Sequence, residues 1–311
     1  MAGGHEHHHH NHEPAAPPSG AAARRMLWAV VLTSVILAGE VVGGIWAGSL
    51  ALLSDAAHVF MDVFALALAL GAMMLARRPA SDKRTFGWHR AEVFAALING
   101  LSLFAVAVII FVEGVQRLFE PTEVRGVGLL VIATVGLLAN GAVALLLRGH
   151  VGADINLRAA LWHVVGDALA SVGVIAGAVV VILTGWYIVD PILALAIGVL
   201  LLWGAGRLVR DAVRILLEGT PPGIHVREVA AALVGVEGVT SVHDLHVWAL
   251  CSHIVNLSAH LVVCPGTEAE VRRAAEKVLA REYGIRHTTL QLEEESCRPD
   301  SEDILCDNLE H

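Results

Sequence analysis

Charged residues are scarce in this chain of 311 residues, and the scarcity argues against an ordinary soluble domain. Only 16% of the residues are charged, whereas 56% are hydrophobic. The sequence also lacks a basic nucleic-acid motif, and its formal net charge of −9 comes partly from its acidic end. The composition therefore favours a membrane protein over a soluble or nucleic-acid-binding protein.

Cysteine is absent from the first 250 residues, and catalytic motifs are also lacking. Cys251, Cys264, Cys297 and Cys306 all follow the last long apolar run. On a cytoplasmic segment they should remain reduced, and the spacing of the last two is too wide for a Cys-x-x-Cys knuckle. The one literal match to His-Glu-x-x-His falls in a low-complexity segment, where a helix is not expected. We therefore do not expect an enzyme.

Six long apolar runs predict a multi-pass α-helical membrane protein with six transmembrane helices. An apolar run of about 20 residues can cross the hydrocarbon core as a helix. The first run is too long for a signal peptide and lacks a cleavage site, so we expect it to remain as a span. The predicted spans cover about residues 27–48, 52–75, 92–118, 126–147, 159–183 and 186–206.

Basic residues are divided unequally between the two sets of connecting segments. Only Arg117 and Arg125 lie in one set, against twelve in the other. Because positively charged loops stay in the cytoplasm, both termini are predicted to be cytoplasmic. The twelve are Arg24, Arg25, Arg77, Arg78, Lys83, Arg84, Arg90, Arg148, Arg158, Arg207, Arg210 and Arg214.

Residues 1–25 are predicted to form a disordered cytoplasmic tail rich in histidine. Histidines followed by Pro, Ala and Gly are typical of low-complexity metal-binding segments. An expression tag is the alternative interpretation, but the interrupted pattern favours a natural tail. The candidate metal ligands in this tail are His5, His7, His8, His9, His10 and His12.

The composition changes after the sixth span, at the sequence Gly-Thr-Pro-Pro-Gly that ends any helix. We predict a transmembrane transport domain at 26–217, a cytoplasmic domain at 218–296 and an acidic C-terminal tail at 297–311. The alternation of apolar and polar residues in the second of these indicates an open-faced α+β sandwich of order αββαβ. The predicted helices cover 226–239 and 267–283, and the strands cover 241–250, 254–264 and 287–295.

Ionisable residues inside two of the apolar runs are costly in lipid and therefore mark a functional site. The second run contains His58 and Asp62, and the fifth contains His163 and Asp167. In each pair the two side chains lie on one helix face, one turn apart. Both aspartates fall near the middle of a ~30 Å core, so the pairs can meet at one depth.

Two imidazoles and two carboxylates form a tetrahedral ligand set that suits Zn²⁺. An oxygen-only cage would suit Mg²⁺, Ca²⁺ or Mn²⁺, and thiolates would suit Cu⁺. We therefore predict a Zn²⁺ transport site at His58, Asp62, His163 and Asp167. Because the ligands bind metal only when deprotonated, protons compete with the ion, which predicts Zn²⁺/proton exchange. The alternatives are hydrogen bonds between helices and a proton relay without metal.

Other polar residues within the spans are weaker candidates. Glu40, Asp55, Glu113 and Asn140 could line the transport route. Snorkelling, interhelical hydrogen bonding or a position at the membrane edge explains them equally well.

Strand alternation also gathers candidate ligands in the cytoplasmic domain. Polar positions of the predicted strands place His246, His260 and Glu293 on one face of the sheet, with His243 at a strand edge. These four residues form a candidate cytoplasmic metal site. The alternative is a polar sheet face that is simply hydrated.

These motifs resemble the cation diffusion facilitator family, and its zinc-exporting group in particular. The resemblance implies a homodimeric six-span proton antiporter of a bacterial inner or plasma membrane that exports Zn²⁺ from the cytoplasm through the transport site predicted above. It further implies that the cytoplasmic domain has a ferredoxin-like fold. It also implies zinc binding at a dimer interface through His243, His260, Gln291 and Glu293, where Gln291 replaces a histidine of some relatives. The matching segments are GSLALLSDAAHVFMD, FGWHRAEVFAALING, NLRAALWHVVGDALASVGV, DPILALAIGVLL and VHDLHVWAL.

Two other functions fit the same architecture. One is an exporter whose main cargo is Co²⁺, Cd²⁺ or Fe²⁺ instead of Zn²⁺. The other is a membrane metal sensor without flux, in which the soluble domain carries the function.

Overall fold

The computed structural model describes residues 20–148 and 155–294, which form six long helices followed by a small α+β part. The predicted fold class, a multi-pass helical protein with a C-terminal αββαβ domain, is confirmed. The long helices are α1 (Gly20–Ala47), α2 (Leu50–Ala76), α3 (Ala91–Phe119), α4 (Gly126–Arg148), α5 (Ile155–Thr184) and α6 (Val189–Leu216). The α+β part contains α7 (Val226–Val234), β1 (Val239–Cys251), β2 (Ile254–Val263), α8 (Glu268–Glu282) and β3 (His287–Glu293).

Both predicted tails lie largely outside the described residues, as do the tail histidines. The exception is the end of the N-terminal tail, because α1 begins at Gly20 and not near residue 27. Three alanines at 21–23 have the highest helix propensity of any residue, and they extend the apolar helix backwards.

The long helices have the length and composition of membrane spans. Among the described residues, α2, α3, α6 and the Val165–Thr184 part of α5 are long and apolar enough to cross a membrane. Shorter apolar stretches cover Ser34–Ala47 of α1 and Gly126–Ala142 of α4. Large apolar side chains such as Leu183, which is 78% exposed, cover these helices, as expected for surfaces that face lipid.

The described residues form two compact units. The first unit contains the residues up to Val59 and Gly114–Leu195, and the second contains Phe60–Glu113 and the residues from Ala196 onward. In the first unit, α1 packs closely against α4 because Gly43 has no side chain. A Cβ atom at Gly43 would lie 2.2 Å from Ile132 Cδ1, so a larger residue there would require the Ile132 side chain to shift.

The start of α2 is held by a buried carboxylate from α6, within the first unit. Asp190 accepts hydrogen bonds from the Ser49 hydroxyl at 2.5 Å, the Leu50 amide at 2.7 Å and the Ala51 amide at 3.3 Å. The first amides of a helix have no partner within the helix, and a carboxylate at this end also complements the helix dipole. Asp190 therefore serves as the N-terminal cap of α2, although it comes from a distant part of the chain.

The α+β part lies in the second unit and has its own hydrophobic core. Its three strands run in the order β1-β2-β3, with β1 and β2 antiparallel and β2 and β3 parallel. Apolar residues from one sheet face pack against α7 and α8, which cover that face. The core includes Val229, Leu233, Leu245, Val247, Leu257, Leu261, Val271, Leu279 and Ile285.

Candidate metal sites

In the first unit, the structure brings together one residue from each predicted ligand pair of the spans. His58 Nε2 on α2 lies 4.0 Å from Asp167 Oδ1 on α5. Two ligands of a tetrahedral Zn²⁺ with bonds of 2.0–2.1 Å are separated by about 3.4 Å. The two atoms are therefore within a small side-chain adjustment of sharing an ion.

The other two predicted ligands follow from helix geometry. Asp62 lies one turn after His58 on α2, so both side chains project from the same helix face. His163 lies on α5, one turn before Asp167, and its side chain is outside the described part of the structure. The backbone thus keeps the i, i+4 arrangement within both helices.

Two further acidic residues lie close to Asp167 in the first unit. Glu40 and Asp55 are buried at 2% and 3% exposure, and the carboxylates of Glu40, Asp55 and Asp167 interact electrostatically. Gly136 leaves room for one of them, because a Cβ atom there would lie 2.9 Å from Glu40 Oε1. Three carboxylates, those of Glu40, Asp55 and Asp167, are therefore neighbours in the buried part of the first unit.

In the α+β part, His243, His260 and Glu293 form a compact cluster. Their ligand atoms lie within 4.8 Å of one another. Glu293 joins the two rings, because Oε2 lies 3.2 Å from His243 Nε2 and Oε1 lies 2.9 Å from His260 Nδ1. The Gln291 amide donates a hydrogen bond to Glu293 Oε1 at 2.6 Å, so Gln291 orients the carboxylate.

The structure places His246 apart from this cluster. His246 Nε2 pairs with Asp244 Oδ1 at 3.0 Å, and Asp244 Oδ2 lies 3.5 Å from His260 Nε2. A strand irregularity between His243 and His246, with Asp244 at a φ of +51°, changes the alternation. Alternation alone would place His243 with Leu245 on the core face. The irregularity instead directs His243 towards His260.

A third cluster, which the sequence analysis did not identify, lies in the second unit. His89 precedes α3, whereas Cys251 and His253 lie at the turn between β1 and β2, and their ligand atoms also fall within 4.8 Å of one another. Burial raises the pKa of the Cys251 thiol. The available sequence signal was the Cys-x-His pattern at the hairpin turn, but nothing in it indicated His89.

Comparison with known proteins matches both parts of the chain to one family. The profile of the cation efflux transmembrane domain matches residues 26–217. The profile of the cation efflux protein cytoplasmic domain matches residues 221–295.

Several of the similar proteins are bacterial metal transporters. The metal cation efflux system protein CzcD of Cupriavidus metallidurans is 41% identical over 271 residues, which cover 86% of each chain. The zinc transporter ZitB of Escherichia coli is 38% identical over 275 residues, or 88% of each chain. A solved structure, the metal-bound C-terminal domain of the CzcD transporter from "Cuprividus metallidurans", is 36% identical, covers 22% of this chain and 99% of its own, and has a TM-score of 0.22. On the two profile matches and these identities, the chain belongs to the cation diffusion facilitator family and is a membrane transporter of metal cations.

Proposed function

We propose that this chain is a secondary active transporter that exports Zn²⁺ from the cytoplasm in exchange for protons, with both of its termini in the cytoplasm. The observation that carries the proposal is the approach of His58 to Asp167, on two apolar helices, at 4.0 Å. With Asp62 and His163 one turn away along the same helices, the ligand set is two imidazoles and two carboxylates. Two ionised carboxylates neutralise the dication at a depth where an uncompensated charge is expensive.

Proton exchange is supported by the acidic residues around the site. Glu40, Asp55 and Asp167 are buried near one another, and protons compete with a metal ion for carboxylates of this kind. Departure of Zn²⁺ therefore favours proton uptake by these carboxylates and by the imidazoles. Deprotonation on the cytoplasmic side prepares the same groups for the next ion.

Transport of Zn²⁺ in everted membrane vesicles tests the proposal. Vesicles that contain the chain should take up Zn²⁺ when their lumen is acidic, because the cytoplasmic face then points outwards and luminal protons displace the ion. Uptake is measured with a fluorescent zinc indicator and should stop when an ionophore removes the pH gradient. Vesicles without the chain are the control.

The same preparation separates the alternative functions. Uptake that ignores the pH gradient would contradict proton exchange, and the absence of any metal uptake would support a sensor without flux. Reconstituted liposomes with competing Co²⁺, Cd²⁺ or Fe²⁺ identify the main cargo. This competition is necessary because one relative, which is 38% identical and comes from Bacillus subtilis, is named a cadmium, cobalt and zinc/H(+)-K(+) antiporter.

We further propose that the cluster of His243, His260 and Glu293 binds Zn²⁺ and stabilises a homodimer. The three side chains already converge from three neighbouring strands, and their chemistry suits Zn²⁺. Binding of Zn²⁺ to this cluster would then make the transporter respond to the cytoplasmic zinc concentration. The tail histidines, which lie outside the described residues, remain candidates for metal delivery.

Replacing His260 with alanine should raise the Zn²⁺ concentration needed for dimerisation at least about 10-fold, since the loss of even an outer-shell partner lowers the metal affinity of a site by that factor. The reason is that His260 is one of the three converging ligands. The measurement is the dimer fraction of the full-length protein by light scattering, with and without Zn²⁺. His246→Ala is the matched control, because His246 pairs with Asp244, and its effect should be smaller. Equal zinc responses of parent and His260→Ala would contradict this proposal.

A further inference from the structure

The turn between β1 and β2 presents a thiol and an imidazole to the segment that precedes α3, within the second unit. Cys251 Sγ lies 3.6 Å from His253 Nδ1 and 3.7 Å from His253 Nε2. A sulfur and a nitrogen bound to one tetrahedral Zn²⁺, at about 2.3 and 2.0 Å, are separated by about 3.5 Å. The separation of the sulfur from either nitrogen therefore matches that of two ligands of one ion, and a rotation of the His253 ring would turn one nitrogen towards that ion.

Two groups beside α3 complete the cluster. The His89 and His253 rings meet edge to face, with their centroids 6.2 Å apart. Glu92 Oε2, in the first turn of α3, lies 3.7 Å from His253 Nδ1. The ligand atoms of His89, Cys251 and His253 thus lie within 4.8 Å of one another, and the Glu92 carboxylate lies beside His253.

His89 supplies an independent indication of a missing partner. Its Nδ1 atom is buried and has no hydrogen bond within the described part of the chain. A buried polar atom without a partner costs about 1–3 kcal/mol. A bound cation, or the ring rotation that accompanies its binding, would give the His89 ring the partner that its Nδ1 atom lacks.

The Cys251 sulfur is held in place by its surroundings, whereas the His253 and Glu92 side of the cluster is open to solvent. Cys251 is 1% exposed and packs with Val93 and Ala212 in a small apolar cluster. The His253 side chain is 58% exposed and that of Glu92 is 29% exposed. An ion can therefore approach from solvent and meet a fixed thiol.

We propose that His89, Cys251 and His253, with Glu92, form an additional binding site for a borderline divalent cation such as Zn²⁺ or Co²⁺. On binding, the cation displaces the proton of the Cys251 thiol to solvent, and the thiolate becomes its ligand. The bound ion would join the start of α3 to the β1–β2 turn. This site differs from the transport ligands and from the cluster of His243, His260 and Glu293, because it alone includes a sulfur.

Cobalt(II) absorption tests the site, because coordination by a thiolate gives a near-ultraviolet charge-transfer band that nitrogen and oxygen ligands do not give. The test uses the full-length protein in detergent with Cys297→Ser and Cys306→Ser, so that Cys251 and Cys264 are the remaining thiols. Under reducing conditions this background should show a band that saturates at one thiolate per chain. Cys251→Ser should abolish the band, and Cys264→Ser, at an exposed free cysteine, should leave it unchanged.

Removal of a histidine gives a second readout if Cys251→Ser fails to fold. His89→Ala should raise the dissociation constant measured from the same band at least about 10-fold, as loss of even an outer-shell partner of a metal site does. No band in the background protein, or a band that survives Cys251→Ser, would overturn the proposal. Since Zn²⁺ transport is not measured here, this result is independent of the proposed antiport.

Discussion

Asp167→Ala should reduce pH-driven Zn²⁺ uptake at least about 100-fold. Removing one partner from a buried charged group costs roughly 3–5 kcal/mol, and each 1.4 kcal/mol corresponds to a factor of ten. Asp167 lies on an apolar helix, 4.0 Å from His58, and in the proposed site it supplies half of the charge that neutralises the ion. The initial rate of uptake in everted vesicles measures the effect.

Two further variants make this result specific. Asp62→Ala should cause a similar loss, and the double variant should be no worse than either, because in the proposed site both residues act on one ion. Asp82→Ala removes an exposed aspartate between α2 and α3 and should leave the rate unchanged. Uptake by Asp167→Ala at a tenth of the parent rate or more would contradict the proposed transport site.

Asp190→Ala should destabilise the protein by about 3–5 kcal/mol. The carboxylate accepts three hydrogen bonds from Ser49, Leu50 and Ala51, and each buried group that loses its partner costs about 1–3 kcal/mol. The apparent Tm of the detergent-solubilised protein should fall by roughly 5–20 °C. Size-exclusion chromatography after heating provides the measurement.

For milder variants at the same cap, the loss of stability should increase with the number of hydrogen bonds that each variant removes. Ser49→Ala deletes the hydroxyl that donates to Asp190 and accepts from the Leu52 amide, so it removes two hydrogen bonds and should cost less than Asp190→Ala, which removes three. Asp190→Asn keeps one acceptor oxygen and should also fall between the parent and Asp190→Ala. An unchanged Tm for Asp190→Ala would show that the cap of α2 contributes little to stability.

The bounds of the membrane helices could be predicted to within a few residues where the length of the apolar run alone determines them. The structure gives α2 as Leu50–Ala76 and α3 as Ala91–Phe119, within a few residues of the predicted runs, because the thickness of the bilayer fixes the length of a span. The start of α1 was misjudged since the alanines at 21–23 are not strongly apolar, yet they favour a helix. Apolar length does not detect residues that extend a helix by propensity alone.

The cytoplasmic cluster shows where strand alternation stops being informative. Strict alternation puts His246, and not His243, beside His260. The irregularity at Asp244 brings His243 opposite His260 and leaves His246 opposite Ser258, and a strand irregularity of this kind leaves no reliable mark in a single sequence. The convergence of His89 with Cys251 was equally out of reach, because it depends on tertiary packing between distant segments.

The parallel pairing of β2 with β3 determines when the cytoplasmic cluster is completed during biosynthesis. Parallel strands need a crossover, here through α8, so β3 can join the sheet only after that helix has emerged from the ribosome. Glu293, which joins the His243 and His260 rings, lies on this last strand. A nascent chain that has already inserted its spans therefore carries both imidazoles before it carries the carboxylate. Truncation before β3 would leave a membrane-inserted protein without the acidic member of the cluster.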